Sequence, residues 1–356
     1  MKTVLILGAG ASRQAGGPLM SDFIDKAEEL YRTKRVGEAE ESFKDVLNAV
    51  SELQGIHAKA YLNLDNFETL FGAIEMAMIT GKLAGRKRES IAELRNSIVT
   101  LIVKTLENTI RFPVTENHIY PPRPYNQLAD QIVKLRQEAG ENHRELTFIT
   151  FNYDVALDYA LSHNGSLGGP DYCLSEPPAF TRIPLLKLHG SINWGVCAEC
   201  QKIVPWDFDR VRVSPPYYGN DHIFDLGSNI DREQHCGRPL NRCPVIIPPT
   251  WNKTGYHQDL ARVWSRASSE LSTAENIFVI GYSLPETDSF FRYLYALGSE
   301  GATRIKRFWV FDPDTDGTVE PRFRTMIGRG IENRFKFIKQ TFDKALPVIF
   351  DELRKL

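Results

Sequence analysis

The first twelve residues constrain this chain most. Val4-Leu5-Ile6-Leu7 is a short aliphatic run that passes directly into Gly8-Ala9-Gly10-Ala11-Ser12. An apolar run of this length predicts a buried strand, and the glycines predict a tight turn into a helix start. That is how a nucleotide-binding α/β unit opens. The Gly-x-Gly is incomplete as a dinucleotide fingerprint, because Arg13 stands where a third glycine is wanted. Two readings stay open here. Gly8 and Gly10 let backbone N–H groups approach a pyrophosphate, or the turn is a plain connection capped by Ser12.

Further strands are expected at Leu146–Thr150, Leu185–Leu188, Val245–Ile247, Ile277–Ile280 and Phe308–Phe311. Helical patterns at Leu260–Leu271 and Phe290–Leu297 lie between them. Strands alternating with helices predict a doubly wound, Rossmann-type parallel sheet. Between Ser21 and Gly140 the pattern is helical instead. Leu62 and Leu64 with Phe67, Leu70, Phe71, Ile74 and Met78 read as one amphipathic helix. Ile91, Leu94, Ile98, Leu101, Ile102 and Leu106 read as a second, and Leu128, Ile132 and Leu135 as a third. The expected organisation is a Rossmann-type domain over 1–24, 141–196 and 244–356, a helical insertion over 25–140, and a metal-held module over 197–243.

Several strands end in polar residues, where α/β sheets bind ligands. Thr150-Phe151-Asn152-Tyr153-Asp154 follows one strand, and Asn152 or Asp154 can equally cap the next helix. His189-Gly190 ends another. Gly281-Tyr282-Ser283 ends a third, where Ser283 with Glu286 also fits a capping box. Asp312 ends a fourth, with Pro313-Asp314 pointing to a turn. Five cysteines in 356 residues are too few for a disulfide scaffold. Cys197-x-x-Cys200 with Cys236 and Cys243 predicts a structural zinc site, with His235 an alternative fourth ligand and Cys173 left over as a buried or free thiol.

The order of these words resembles the sirtuin family: Gly-Ala-Gly-x-Ser, Thr-x-Asn-x-Asp, His-Gly, two cysteine pairs, then Gly-x-Ser. Leu188-His189-Gly190-Ser191-Ile192-Asn193-Trp194, Pro248-Pro249-Thr250-Trp251 and Gly281-Tyr282-Ser283-Leu284-Pro285 look more like its divergent prokaryotic branch, many of whose members are NAD-consuming effectors of antiphage defence. The resemblance implies NAD⁺ as substrate and cleavage of its nicotinamide–ribose bond. Asn152 and His189 would be catalytic, and Asp154 would hold the carboxamide. Gly8, Ala9, Gly10 and Ser12 would cradle phosphates, with Gly281, Ser283 and Asp312 at the adenosine end.

Two departures weigh against protein deacylation. The Pro-Asp-Phe-Arg of deacylases is replaced by Gly17-Pro18-Leu19-Met20-Ser21-Asp22-Phe23. Pro248-Pro249 stands where a peptide strand would pair, and proline removes backbone donors. The alternatives are an NAD-dependent deacylase and a non-catalytic module sensing NAD or ADP-ribose.

A net charge of −2 argues against a chain that wraps nucleic acid, and no apolar run reaches the roughly 18–20 residues of a membrane span. A cytoplasmic protein is expected. An NAD hydrolase needs control, so a homo-oligomer through the helices of 62–106 and a separate ATPase or sensor partner are expected.

Overall fold

The computed structural model describes residues 1–55, 62–83, 85–116, 118–139, 145–175, 182–206, 208, 221–247, 258–298 and 303–355. Seven strands form its main sheet: Lys2–Leu7 (β1), Glu145–Thr150 (β2), Pro170–Asp171 (β3), Ile183–Lys187 (β4), Asn276–Ile280 (β5), Arg307–Phe311 (β6) and Phe335–Ile338 (β7). Their order is β7-β6-β5-β1-β2-β4-β3, and every pairing is parallel. This is the doubly wound Rossmann-type sheet that the alternation of strands and helices predicts, except that the strand expected at Val245–Ile247 lies outside it: Val245–Ile246 pairs antiparallel with Gly190–Ser191. Val4 to Leu7 and Ile277 to Ile280 are all at most 1% exposed. Aliphatic runs without polar alternation suit such strands, because both faces of the sheet are covered.

The order reverses about β1. Its C-terminal end therefore lies in the crevice between two diverging connections, the place where open α/β sheets bind ligands. The register fixes what surrounds that crevice. Leu7, Thr150, Lys187, Ile280 and Phe311 form one row across five strands. The next residues out are Gly8, Phe151, Leu188, Gly281 and Asp312, so the polar words found in the sequence fall on one edge.

The helical region holds α1 (Phe23–Arg32), α2 (Glu40–Gln54), α3 (Phe67–Thr80) and α4 (Arg88–Thr109). α4 packs against α1, α2 and α3. Its expected apolar face is confirmed, with Ile91, Leu94, Ile98 and Leu101 fully buried. α3 starts at Phe67 rather than Leu62, because Asn66 Oδ1 accepts the Glu68 N–H at 2.8 Å and caps the helix there. The third expected helix, α5 (Arg123–Ala139), packs on α6 (Ala156–His163) and on α10 (Phe342–Arg354). It thus joins helices of the sheet layer rather than α1–α4. α7 (Gln258–Thr273) packs on α8 (Ser289–Gly298), and α9 spans Val319–Met326.

Among the described residues, no helix is long and apolar enough to cross a membrane. Met76 and Ile79 on α3 are each 57% exposed.

Candidate functional site

At the end of β1 the backbone touches the backbone that leaves β5. Gly8 N–H donates to Ile280 O at 3.1 Å and Gly10 N–H to Gly281 O at 2.8 Å. A Cβ on Gly8 would lie 2.5 Å from Gly281 O, and one on Gly10 would lie 2.8 Å from Gly281 Cα. Gly281 itself has φ +59° and would clash with Ala11 N. The glycines are thus required by a loop–loop contact. This changes their expected role: the N–H groups of Gly8 and Gly10 are already engaged and leave no donor there for a phosphate in this conformation.

Ser12 is buried beside this contact. Its Oγ donates to Asp154 Oδ2 at 2.7 Å, lies 2.7 Å from Tyr125 Oη and accepts from Asn152 Nδ2 at 3.0 Å. Asn152 Nδ2 also donates to Gly8 O at 2.9 Å. The amide therefore ties the end of β2 to the end of β1. Asp154 accepts the Ala156 N–H at 3.0 Å through Oδ1, a turn that leads into α6 just ahead of its N-cap Val155. Each of its oxygens thus accepts one hydrogen bond from its surroundings. Burial pushes its carboxyl above the usual carboxylate range, and the charge of Lys187 opposes that.

Below lies a polar layer that the sequence reading missed. Lys187, on β4, is fully buried. Its Nζ donates to Asp154 O at 2.6 Å and to Asp158 Oδ2 at 2.9 Å. Tyr172 Oη donates to Asp158 Oδ1 at 2.7 Å, and Asn193 Nδ2 donates to Tyr172 Oη at 3.2 Å. Ser191 Oγ donates to Asn193 Oδ1 at 2.7 Å. A lysine in a strand's inner face was the available signal, since lysine is almost never fully buried unless paired.

His189 follows β4 as Asn152 follows β2, each two residues beyond the paired Thr150 and Lys187. It is 4% exposed. Phe151 packs edge-on to its ring at 5.2 Å between centroids, and Tyr153 lies at 6.1 Å. His189 Nε2 stands 3.7 Å from Asp288 Oδ1, and Tyr282 Oη donates to Asp288 Oδ2 at 2.7 Å. Burial, then the charges of Asp288 and Glu68, push the Tyr282 hydroxyl well above its usual range. Asp288 carries no motif of its own, so only the fold brings it to His189.

The residues expected at the adenosine end are less convergent. α8 begins only at Ser289, after a turn at Glu286–Asp288, so Ser283 is not its cap. Ser283 O accepts from Arg322 Nη1 at 3.3 Å. Asp312 Oδ1 accepts the Asp314 N–H at 2.8 Å, so its carboxylate makes the turn its neighbours suggest.

The metal-ligand set is corrected. Cys197, Cys200, His235 and Cys236 bring their ligand atoms within 4.8 Å of one another. Cys243 is not among them. It is half-buried against the main core, and burial raises its thiol pKa. His235 Nδ1 lies 3.4 Å from Cys200 Sγ and 3.3 Å from Cys236 Sγ. Tetrahedral zinc with bonds of about 2.0–2.3 Å requires such spacing, so three thiols and an imidazole fit it. The six-residue gap from Cys236 to Cys243 had already exceeded the usual ligand spacing. Gln234–His235 pairs with Arg238–Pro239, and the turn between them puts Cys236 at φ +53° and Gly237 at φ +74°. That left-handed turn places consecutive residues on one centre. Cys197, Ile230 and Leu240 form a separate small core beneath it.

Two clefts lie elsewhere. One of about 510 Å³ is lined by Tyr172, Arg182, Cys200, Lys202 and Arg262. Another of about 870 Å³ is lined by Glu38, Lys104, Asp225, Ser228 and Arg242. Neither includes the strand-end residues.

No family model matches the chain, and no curated protein matches it. Sir2 homologues are among the solved structures it matches. A Sir2 homologue–ADP-ribose complex has a TM-score of 0.45 and 12% identity over 99% of this chain and 92% of that one. A Sir2 homologue–NAD complex has a TM-score of 0.44 and 15% identity over 99% and 90%. A Sir2 protein bound to a propionylated peptide has a TM-score of 0.38 and 12% identity over 99% and 92%.

Proposed function

We propose that this chain is a sirtuin-like enzyme that binds NAD⁺ at the strand ends and hydrolyses its nicotinamide–ribose bond. The observation that carries the reading is the placement of Asn152 and His189. The ordered sequence words put each on its own loop, and β2 and β4 are neighbours in register. An amide and an imidazole thus follow adjacent strands on one side of the sheet's reversal point.

The chemistry asks for little covalent help. When the C1′–N bond breaks, its electron pair goes to the pyridinium nitrogen and neutralises it. The ribose passes through an oxocarbenium-like state. Water adds at C1′ and loses one proton, giving nicotinamide, ADP-ribose and H⁺. Asn152 orients the ribose or the water, and His189 takes the proton. Asp154 holds Ser12 and α6 in place. Ser283 and Asp312 lie toward the adenosine end, with Gly8, Ala9, Gly10 and Gly281 forming the close backbone wall.

Zinc at Cys197, Cys200, His235 and Cys236 would be structural, since three soft ligands and an imidazole close a tetrahedral site. The prolines Pro248 and Pro249 that bear on peptide binding lie outside the described residues. A role in antiphage defence, a homo-oligomer joined through α3 and α4 near Met76 and Ile79, and control by an ATPase or sensor partner belong to this proposal on resemblance and on the need for control. So does a cytoplasmic location.

The test is incubation of the purified full chain with NAD⁺, alone, with an acyl-lysine peptide and with candidate ATPase partners, followed by chromatography of the products. Peptide-independent nicotinamide and ADP-ribose are expected. Asn152→Ala or His189→Ala should lower the rate at least about a hundredfold, in line with lost positioning and general-base catalysis. Release that requires the acyl peptide would make the chain a deacylase. Tight binding without turnover would make it a sensing module.

A further inference from the structure

The hydrolytic reading asks what a buried imidazole needs in order to accept a proton. An imidazolium without a counter-charge in a dry site is costly. His189 is 4% exposed and Asp288 1% exposed, and aromatic rings surround them. Phe151 stacks on Tyr282 at 4.2 Å and 8°, stands edge-on to His189 and meets Phe291 at 90°. The carboxylate of Asp288 faces the imidazole, with His189 Nε2 at 3.7 Å from Asp288 Oδ1. The other oxygen of that carboxylate is fixed by the Tyr282 hydroxyl.

Three elements converge here. His189 comes from the loop after β4, Tyr282 from the loop after β5, and Asp288 from the turn before α8. That turn is held by Asp288 N–H donating to Pro285 O at 3.1 Å and by Leu284 at φ +49°. A non-glycine residue in the left-handed region is uncommon and persists where its surroundings impose it.

We propose that Asp288, clamped by Tyr282, is a positioning residue for His189: it keeps the Nε2–H tautomer facing the carboxylate and pairs with the imidazolium once Nδ1 has taken a proton. The logic is that of a base oriented by a third group. The inference rests on the reading of His189 as the base in NAD⁺ hydrolysis. In that reaction the proton lost by the attacking water goes to Nδ1 and then to solvent. The imidazole returns neutral, and Asp288 is never protonated. The 3.7 Å separation is longer than a hydrogen bond, and such contacts often close only in the substrate complex.

The test combines kinetics with ¹⁵N NMR of the histidine-labelled full chain, in which His189→Gln identifies the resonances. In the unsubstituted protein His189 should show the Nε2–H tautomer. In Asp288→Asn that preference should be lost. The kcat for NAD⁺ cleavage should fall at least tenfold while KM stays within about threefold. Asp288→Glu should regain part of the rate. Tyr282→Phe should lower kcat severalfold without loosening the fold, because the ring that stacks on Phe151 is kept. If Asp288→Asn does not fold, Tyr282→Phe decides by the same two readouts. An unchanged His189 tautomer in a folded variant would overturn the proposal, as would an unchanged kcat. If the unsubstituted protein cleaves no NAD⁺, the hydrolytic reading fails, and the tautomer still decides what Asp288 does to His189.

Discussion

The floor beneath the strand ends and the metal-ligand knuckle are both small polar constructions, yet they are held differently. The floor is part of the main core. Lys187, Asp158, Tyr172 and Asn193 are buried among sheet residues, and each bonds to another. The sheet's register sets their positions, and the hydrogen bonds satisfy groups that the register has already buried. The knuckle has three buried core residues of its own, and its geometry comes from the ligand side chains. Damage to the first should spread through the sheet, whereas damage to the second should stay local.

The largest effect is expected from Lys187→Met. The partner Asp158 would remain as a buried charge without its cation, and breaking such a pair costs about 3–5 kcal/mol. Urea unfolding followed by tryptophan fluorescence should show it. A loss under about 1 kcal/mol would mean that the floor is not rigidly held, and the contrast would collapse. Next in size is metal removal. Elemental analysis should find one zinc per chain. His235→Ala and Cys236→Ser should lose it, whereas Cys243→Ser should keep it. A chelator should open the knuckle to protease between Cys197 and Leu240 before the sheet melts. Zinc loss in Cys243→Ser would restore the original cysteine pairing.

A smaller effect lies between the two regions. Glu107 on α4 is buried and accepts from Ser228 N–H at 2.9 Å and from the Ser228 hydroxyl. Burial raises its carboxyl to about 7. A carboxyl raised on folding contributes stability that is fully present below its unfolded value. That contribution fades as pH climbs through the folded value. Stability should therefore decline from about pH 4.5 to 7 through this group, and Glu107→Gln should flatten that part of the profile. An unaltered slope in the Gln variant would show that Glu107 is ionised throughout. The smallest effect is Ser283→Ala. Losing one hydroxyl contact at the adenosine end should raise KM a few-fold with kcat intact, corresponding to about 1 kcal/mol or less of uniform binding.

Five of the seven sheet strands were legible because they are aliphatic runs ended by glycine or polar residues, a local signal. Pro170–Asp171 is two residues long, Phe335–Ile338 is partly exposed, and the aliphatic Val245–Ile246 pairs elsewhere. The buried face of α4 was legible for the same reason, through its period. His189 and Asn152 were legible as strand-end residues, whereas Asp288 was not. It sits in a turn whose sequence marks, Pro285 and the Ser283–Glu286 capping box, point to a helix start, and its meaning comes from a strand nearly one hundred residues earlier. Lys187 was not legible as a buried group because its partner Asp158 lies on α6, and only the fold brings the two together. The fourth metal ligand was misassigned because spacing alone favours a cysteine pair. The choice between Cys243 and His235 depends on a left-handed hairpin turn at Cys236 and Gly237. The roles expected of Gly8 and Gly10 changed because their amides face Ile280 and Gly281, a contact between chain segments far apart in sequence.

The position of β1 has a consequence for synthesis. Of the seven strands of this sheet, β1 is synthesised first, and it is the central one, flanked by β2 and β5. Its second neighbour begins at Asn276, so one edge of Val4–Leu7 stays unpaired while more than a hundred residues are translated after β2. At about 5–20 residues per second that interval is on the order of ten seconds. Throughout it the nascent chain presents an aliphatic edge of the kind that recruits other strands. The helices α1 to α4, which mature early and make mostly local contacts, are the part able to fold first. Completion of the sheet must wait for the strands from Asn276 to Ile338, and a truncation before Asn276 should yield an aggregating product rather than a smaller folded one.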